Sequence, residues 1–250
     1  MKETEDIINN ISHRPWPLPD RKWSYYQEWN DALFLHWKIE ESELQKLTPT
    51  NKAIDKFEEE TWISIVAFTM EKIRPRNLPS ISFISNFVEI NVRTYFTQEN
   101  KQGVFFLNIE AQKEISTFIA KQLSGLPYEK SVIERGEKRN IKYFTSKNKN
   151  KNFRLEAKFK VGQELTNKSA LDNWLAERYC LYLHSKNETY RFEIQHEPWK
   201  IFNVEIIELT TDYKFGNIDL NRKPDLIRYS NGVKVLAWDK EKLTRKGTSH

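Results

Sequence analysis

The chain has little of several residue types on which whole classes of protein depend. It contains one cysteine, Cys180, in 250 residues, so no disulfide forms within the chain and a reducing cytoplasm is predicted. Its seven glycines are scattered, and neither a P-loop nor a dinucleotide-binding fingerprint can be assembled from them. No run of about 18 apolar residues occurs, and no opening segment has the pattern of an export signal. The sequence therefore predicts neither a membrane span nor secretion.

Histidine is also sparse, and its spacing argues against a metal. The five histidines are His13, His36, His184, His196 and His250. They show neither of the short spacings, His-x-His and His-x-x-x-His, by which neighbouring residues share a metal ion. We therefore expect no metal and no other cofactor.

The charges are nearly balanced. Forty basic residues stand against 35 acidic ones, for a net charge of +5, and they are spread along the chain. The densest basic stretch, 147–160, begins with alternating Asn and Lys, which is typical of a solvated hairpin loop leading into a strand. A polyanion site there is the alternative interpretation. Overall, the sequence predicts no nucleic-acid partner.

The residues that are abundant predict a folded protein. Hydrophobic residues make up 38% of the chain and aromatic residues 13%, with eight Trp, so the mean hydropathy of -0.73 reflects a charged surface around a core. No repeat and no Gly- or Pro-rich linker divides the chain. We expect a frayed N-terminus over 1–12, a single domain over 13–240 and a polar tail over 241–250.

Strand patterns outnumber helix patterns. Strands are predicted over 32–37, 61–70, 87–96, 103–109, 141–145, 153–161, 179–184, 190–196, 203–209 and 233–238. Helices are predicted over 40–47, 111–123 and 171–177, the second from an apolar stripe that ends before a Gly and a Pro. This pattern favours an α+β, β-rich fold, an antiparallel barrel or sandwich with a few covering helices.

One predicted strand carries an unusual polar face. In the segment 87–96 the two-residue period of a strand places four polar side chains on one face, namely Glu89, Asn91, Arg93 and Tyr95. The opposite face is apolar. Such a variety of polar groups in register indicates a recognition pocket rather than an ordinary solvent-facing strand.

Other residues with chemical potential leave alternatives open. Glu89 with Arg93, and Glu177 with Arg178, either bind a carboxylate through a guanidinium fork or form mutually satisfied ion pairs. Cys180 lies in an apolar run and is predicted to be a buried structural thiol. His36 shares a strand face with core residues, whereas His196 ends a strand before Glu-Pro-Trp and is predicted to border a pocket.

Six segments carry a resemblance to a known family over nearly the whole chain. They are His13-Arg14-Pro15-Trp16-Pro17, the stretch 29–37, Glu89-Ile90-Asn91-Val92-Arg93-Thr94-Tyr95, Gly125-Leu126-Pro127-Tyr128, Glu177-Arg178-Tyr179-Cys180-Leu181-Tyr182 and His196-Glu197-Pro198-Trp199. Together they resemble the YqjF-like family of uncharacterised bacterial proteins. That family in turn resembles the acetoacetate-decarboxylase-like superfamily, which implies a β-rich cone or barrel with a central cavity over the single domain 13–240.

The same resemblance implies a departure from decarboxylase chemistry. In the decarboxylase, a Gly-x-Pro-Lys-Lys stretch supplies the imine-forming lysine and the neighbouring cation that lowers its pKa. The similar stretch here is Gly125-Leu126-Pro127-Tyr128-Glu129. Tyr128 stands in the place of the nucleophile, so a lysine-imine decarboxylase is not expected. Glu89 resembles the cavity glutamate of the decarboxylase.

Three functional hypotheses follow. In the first, the cavity binds a small organic carboxylate or carbonyl compound, with Arg93 as anion anchor, Glu89 and Asn91 as orienting groups, and Tyr95, Tyr128 and His196 as walls or proton donors. In the second, a lyase- or hydrolase-type enzyme uses Glu89 and Tyr128 as acid and base. In the third, a structural or protein-interaction module carries the strand's charges towards solvent. The oligomeric state is left open.

Overall fold

The computed structural model describes residues 2–49, 53–112, 126–185 and 188–243. In this part of the chain the helices are α1 (Lys2–Asn9), α2 (Glu41–Gln45), α3 (Ser82–Ser85) and α4 (Ala170–Ala176). The first strands are β1 (Tyr25–Ile39), β2 (Ala53–Ile54), β3 (Thr61–Pro75), β4 (Phe87–Gln98), β5 (Lys101–Ala111), β6 (Tyr128–Lys130), β7 (Val132–Lys138) and β8 (Ile141–Asn148). The remaining strands are β9 (Phe153–Glu164), β10 (Cys180–Ser185), β11 (Glu188–His196), β12 (Phe202–Asp212), β13 (Lys214–Phe215), β14 (Ile218–Asp219), β15 (Leu226–Ala237) and β16 (Glu241–Leu243).

Most strands join one large sheet that curves back on itself. Its order is β16-β11-β10-β5-β4-β3-β1-β15-β12-β9-β8-β7, and β11 pairs in addition with β15. The run from β15 through β4 to β11 therefore wraps around an interior, and β12, β9, β8 and β7 extend beyond it. The pairings of β5 with β10 and with β6 are parallel, while the others are antiparallel. The predicted β-rich, largely antiparallel fold is confirmed.

Strand β4 is buried on both faces. Ile90 and Val92 pack into a hydrophobic core with Phe144, Leu155 and other side chains of β8 and β9. The alternate residues point into the interior of the wrapped sheet, where the pleat of the strand places every second side chain. The polar face predicted from the sequence therefore lies inside the molecule.

Both ends of the described chain are more ordered than the sequence suggested. The predicted frayed segment 1–12 contains α1, whose Ile7 is buried against Tyr26, Leu236 and Trp238. Gln195 donates hydrogen bonds to the carbonyls of Ile7 and of the residue that follows α1. An apolar patch on β15 and β1 thus holds a helix that would not be stable alone. At the other end, β16 pairs with β11 inside the predicted polar tail.

The predicted short helices 40–47 and 171–177 are confirmed as α2 and α4. Helix α4 begins with a capping box, in which the Ser169 side chain accepts from the Asp172 backbone N–H while the Asp172 carboxylate accepts in return. The predicted helix 111–123 lies outside the described residues, apart from the first two, of which Ala111 ends β5. None of the described helices has the length and apolar character needed to cross a bilayer.

Candidate ligand-binding cavity

A cavity of about 80 Å³ lies within the wrapped sheet. A single water molecule needs about 10–15 Å³ of such cavity volume. The cavity therefore has room for an organic molecule of a few non-hydrogen atoms. Most of its wall is apolar. Its polar side chains come from five places. They are Gln27 on β1, Glu89, Asn91 and Arg93 on β4, Tyr128 on β6, Arg178 between α4 and β10, and His196 on β11.

The three β4 side chains are almost completely buried. Glu89 is 3% exposed, Asn91 4% and Arg93 8%, and all three line the cavity. The solvent-facing orientation predicted by the structural-module hypothesis is therefore wrong. Since burial of an amide and two ionisable groups is unfavourable without polar partners, their surroundings decide what they do.

Tyr95, the fourth member of the predicted face, does not line the cavity. Tyr95 lies further along β4 than the three lining residues and is buried in a separate cluster beneath α4. Its ring lies 4.7 Å from the Trp174 ring, and its hydroxyl is 2.6 Å from Ser64 Oγ. The predicted ligand contact of Tyr95 is corrected to a supporting role behind the arginines.

Glu89 is the acidic group of the cavity. Tyr128 Oη donates a hydrogen bond to Glu89 Oε2 at 2.9 Å, and Asn91 Nδ2 approaches Glu89 Oε1 at 3.5 Å. Burial outweighs these two donors and raises the pKa of Glu89 to about 7. Burial and the neighbouring carboxyl raise the pKa of Tyr128 well above its ordinary value. At neutral pH Glu89 is therefore present in both its protonated and its ionised form, while Tyr128 keeps its proton.

Strand β6 delivers Tyr128 to this position. It pairs in parallel with β5, and Tyr128 lies opposite Ile109, which also lines the cavity. Gly125, the first residue of the stretch that resembles the decarboxylase motif, lies outside the described residues. Among the described residues that line the cavity there is no lysine.

Arg93 has few partners. Its Nη2 donates to the Leu175 carbonyl at 3.3 Å, but its Nε has no hydrogen-bond partner among the described residues. No carboxylate in the described part of the chain lies within ion-pairing distance of this guanidinium, so the alternative in which Glu89 and Arg93 form an ion pair does not hold. Arg93 is a buried cation without a counterion there.

Arg178 has more hydrogen-bond and ion-pair partners than Arg93. Its Nη1 donates to Asp55 Oδ2 at 2.5 Å and its Nε to the Trp174 carbonyl at 2.6 Å, while its guanidinium lies 4.3 Å from the Trp174 ring centroid. Burial lowers the pKa of Arg178, and Asp55 opposes that shift. Its Nη2 has no partner within the described ranges. Arg178 therefore lines the cavity mainly as one half of a structural ion pair.

The alternative in which Glu177 and Arg178 form an ion pair does not hold either. Glu177 accepts instead from Lys168 Nζ at 2.6 Å and from the Tyr179 hydroxyl at 2.8 Å. Consecutive residues of extended chain point in opposite directions, and only Arg178 reaches the cavity. Glu177 is therefore a structural residue, whereas Arg178 lines the cavity.

His196 forms part of the cavity wall. Its Nδ1 lies 2.8 Å from the Glu197 carbonyl and its Nε2 3.3 Å from the Arg178 carbonyl, so both ring nitrogens face the backbone. Burial lowers the pKa of His196, and the ring stacks on Tyr179 with centroids 4.7 Å apart. A wall position fits this arrangement, whereas the nitrogens are turned away from a ligand.

His36 and Cys180 are buried core residues, as predicted. His36 Nδ1 lies 2.6 Å from Ser64 Oγ, and burial, with the Arg93 charge nearby, lowers the pKa of His36 to about 3. Burial raises the pKa of the Cys180 thiol to about 12. Within the described ranges, no three His, Cys, Asp or Glu side chains are placed to hold a metal ion.

Sequence reasoning missed the aromatic wall of the cavity. Trp29, Phe34 and Trp199 pack together there, with the Trp29 and Trp199 centroids 6.3 Å apart. Residues 29 and 34 differ by an odd number, so an ideal strand would send them to opposite faces. A β-bulge in β1, where Asp31 has φ 54°, brings them to one side. The isolated Asn-Asp pair at 30 and 31 is a weak signal for such a bulge.

Comparisons with known proteins fit this geometry. The profile of the DUF2071 family, described as an uncharacterized conserved protein, matches residues 26–234. The uncharacterized protein YqjF of Bacillus subtilis (strain 168) is 33% identical over 225 residues, which cover 88% of this chain and 93% of that protein. The family resemblance seen in the sequence is confirmed.

Solved structures with low sequence identity share the fold. An acetoacetate decarboxylase-like enzyme from Sphingomonas wittichii RW1 superposes with a TM-score of 0.61 at 14% identity, covering 90% of this chain and 94% of its own. An acetoacetate decarboxylase gives 0.61 at 12% identity, with 96% and 97% covered. The enduracididine biosynthesis enzyme MppR, complexed with pyruvate, gives 0.60 at 10% identity, with 92% and 93% covered. The predicted fold of the acetoacetate-decarboxylase-like type is confirmed, although the sheet as a whole does not form a closed barrel.

Proposed function

The chain belongs to the DUF2071 family, and we propose that its cavity binds a small organic carboxylate or carbonyl compound without forming an imine. One observation carries this proposal. Arg93 is buried beside the cavity with no ion-pairing carboxylate among the described residues. A buried charge without a partner is strongly unfavourable. An anionic ligand supplies the missing charge, and a carboxylate matches the planar guanidinium fork.

The rest of the cavity suits a small oxygen-bearing molecule. The Glu89–Tyr128 pair offers a proton and a hydroxyl to an oxygen of the ligand, and aromatic walls exclude water around it. Pyruvate, the compound bound to the structurally similar MppR, is of the size that the cavity volume allows. A ligand of this class makes the protein a small-molecule binder rather than a nucleic-acid or membrane partner, and a cytoplasmic location stays a prediction.

The absence of imine chemistry rests on Tyr128. A phenol does not condense with a carbonyl to give an imine, and no lysine is found among the described lining residues. Arg93 and Arg178 do not replace one, because a guanidinium stays protonated in proteins.

A second candidate is an acid–base enzyme of the lyase or hydrolase type acting in the same cavity. Burial holds the pKa of Glu89 at about 7, next to Tyr128 at 2.9 Å. An acid with a pKa close to the working pH is effective in general acid–base catalysis. Glu89 would move a proton at the ligand, and Tyr128 would donate a hydrogen bond to the charge that develops on oxygen.

Calorimetric titration tests the binding proposal. Small carboxylates with and without an oxo group should bind more tightly than neutral ketones of equal size, which lack the charge that attracts them to Arg93. Arg93→Met should abolish binding, while Arg154→Met, which removes an exposed arginine, should leave it unchanged. Equal binding of neutral ketones and carboxylates, or unchanged binding by Arg93→Met, would remove the anion site from the proposal.

Proton exchange tests the catalytic alternative. Carbon-bound hydrogens next to the carbonyl of a bound oxo acid should exchange with deuterium from solvent in the wild-type protein. Glu89→Gln should bind the same acid but lose the exchange. If exchange is equally fast in Glu89→Gln, another group and not Glu89 moves the proton. If the wild-type protein shows neither exchange nor turnover, the catalytic alternative fails and only the binding proposal remains.

A further inference from the structure

The middle of β5 is a weakly paired part of the cavity wall. On one edge, β5 pairs with β10 at Val104 and Phe105, and with β6 from Ile109 onward. In the described part of the chain, no strand pairs with this edge over 106–108. On the other edge, a β-bulge leaves Leu107 without a partner residue in β4. Since backbone hydrogen bonds between strands hold a sheet together, the wall is held least firmly at this stretch.

A surface groove lies against the same stretch of β5. Its lining includes Leu107 on β5, the exposed Pro127 before β6, and His184 on β10. Two further residues, Phe106 and Leu126, line both this groove and the cavity. Both are half-buried. The groove and the cavity therefore meet at these two side chains, at the point where the pairing of β5 is interrupted.

The side chain of Phe106 faces the interior of the wrapped sheet. Phe106 pairs with Arg93 across the ladder, and paired residues of neighbouring strands lie on the same face. Its neighbour Phe105 faces the other way, and the Phe105 ring stacks on that of Phe96 in the hydrophobic core, with centroids 4.6 Å apart. A phenyl ring moves by rotation about its side-chain bonds. Phe106 can therefore swing aside without the loss of any backbone hydrogen bond.

We propose that small molecules enter and leave the cavity through the middle of β5, and that Phe106 and Leu126 form the gate between groove and cavity. Other routes are less favourable. Strands β1, β3 and β4 pair with one another over most of their length, so passage between them would break several backbone hydrogen bonds at once. At the α4 end, Leu175 and Ala176 are buried. The inference concerns access to the cavity and does not depend on which ligand the cavity binds.

Chemical modification of Arg93 tests the gate. Methylglyoxal is a small dicarbonyl compound that modifies arginine, and peptide mass spectrometry measures the rate at each position. Arg93 lines the cavity and is almost completely buried, whereas the exposed Arg154 provides the reference rate in the same sample. In the wild-type protein Arg93 should react much more slowly than Arg154, because the reagent reaches it only while the gate is open.

Three substitutions test the route. Phe106→Ala and Leu126→Ala should each raise the relative rate at Arg93 at least about tenfold, because a smaller side chain lowers the free energy of opening. Phe105→Ala is the matched control: it removes the same ring at the next position, but from the core and not from the cavity, and should stay within about twofold of the wild type. A fourth variant, His184→Trp, fills the groove from outside and should lower the rate.

An unchanged rate in Phe106→Ala and Leu126→Ala would mean that the reagent enters elsewhere, and an equal rise in Phe105→Ala would mean general loosening of the fold. Equal rates at Arg93 and Arg154 in the wild type would show an open cavity without a gate. If Phe106→Ala does not fold, Leu126→Ala decides, since it trims a half-buried side chain at the groove. The test uses no carboxylate ligand, so the gate can fail while the proposed binding function stands, and the reverse.

Discussion

Two buried glutamates on neighbouring strands, Glu89 on β4 and Glu110 on β5, share their chemistry but differ in their surroundings. Glu89 is 3% exposed and Glu110 is fully buried, and burial raises the pKa of both carboxyls. Glu110 accepts hydrogen bonds from three hydroxyls, those of Ser131 at 2.5 Å, Ser146 at 3.0 Å and Tyr213 at 2.8 Å. Glu89 has one such hydroxyl donor and a distant amide.

The hydrogen-bond partners of the two carboxyls distinguish a structural acid from an acid at a site. Ser146 on β8, with Ser131 and Tyr213 on connections between strands, surrounds Glu110 with donors. Glu89 instead faces a cavity that is also lined by Arg93, whose guanidinium pairs with no carboxylate among the described residues. Burial and residue type are alike at the two positions, so they carry no information about function. The state of the partners does, because polar atoms left free at a cavity can be satisfied by a ligand.

Removal of Glu110 should give the largest effect on stability. Glu110→Ala leaves three buried hydroxyls without their acceptor, which should lower the free energy of unfolding by about 5 kcal/mol. Glu89→Ala should cost about 1 kcal/mol, since its two donors border a cavity that water can enter. Urea denaturation at neutral pH measures both. Similar losses in the two variants would erase the distinction between them.

The same contrast should appear between the two arginines. Arg178→Met leaves the carboxylate of Asp55 without its ion-pair partner and should lower the free energy of unfolding by about 4 kcal/mol. Arg93→Met removes a buried cation that has no counterion in the described structure, so its stability should equal or exceed that of the wild type. Thermal unfolding of the ligand-free proteins provides the comparison. A strongly destabilised Arg93→Met would mean that the guanidinium is held by the fold rather than kept for a ligand.

The pH dependence of stability should identify Glu89 next. Its pKa is raised from 4.5 to about 7, so between these values the native state holds a proton that the unfolded state has lost. The free energy of unfolding should therefore fall as the pH rises through this window, by about 3 kcal/mol in total.

Glu89→Gln isolates that contribution. The difference in stability between wild type and Glu89→Gln should change across the window from pH 4.5 to about 7, because all other titrating groups are common to both proteins. The exposed Glu164 supplies the control, and Glu164→Gln should run parallel to the wild type. A constant difference between wild type and Glu89→Gln would show that the Glu89 carboxyl titrates normally.

The smallest effect should come from the two tyrosines. Tyr213→Phe removes one of three hydroxyl donors to Glu110 and should cost about 1 kcal/mol. Tyr128→Phe removes the one hydroxyl that contacts Glu89 and should raise the pKa of that carboxyl further, because the donor favours the charged form. Carbon NMR of the glutamate carboxyls measures this shift. An unchanged Glu89 titration would show that the two groups are not in contact.

The sequence predicted the polar face of β4 because side-chain alternation is a local property of a strand. The place of Tyr128 came from the family resemblance. The pairing of Arg178 with Asp55 could not be predicted, since 123 residues separate them and no local pattern links them. The position of Trp29 depends on a bulge in β1. One inserted residue moves every preceding side chain of the strand to the opposite face of the sheet.

A crystal structure of the protein soaked with a small carboxylate that saturates it in solution tests the central claim most directly. The account predicts the carboxylate within ion-pairing distance of the Arg93 guanidinium, with no covalent bond to any lysine. An acid bound elsewhere, or joined to a lysine, would contradict it.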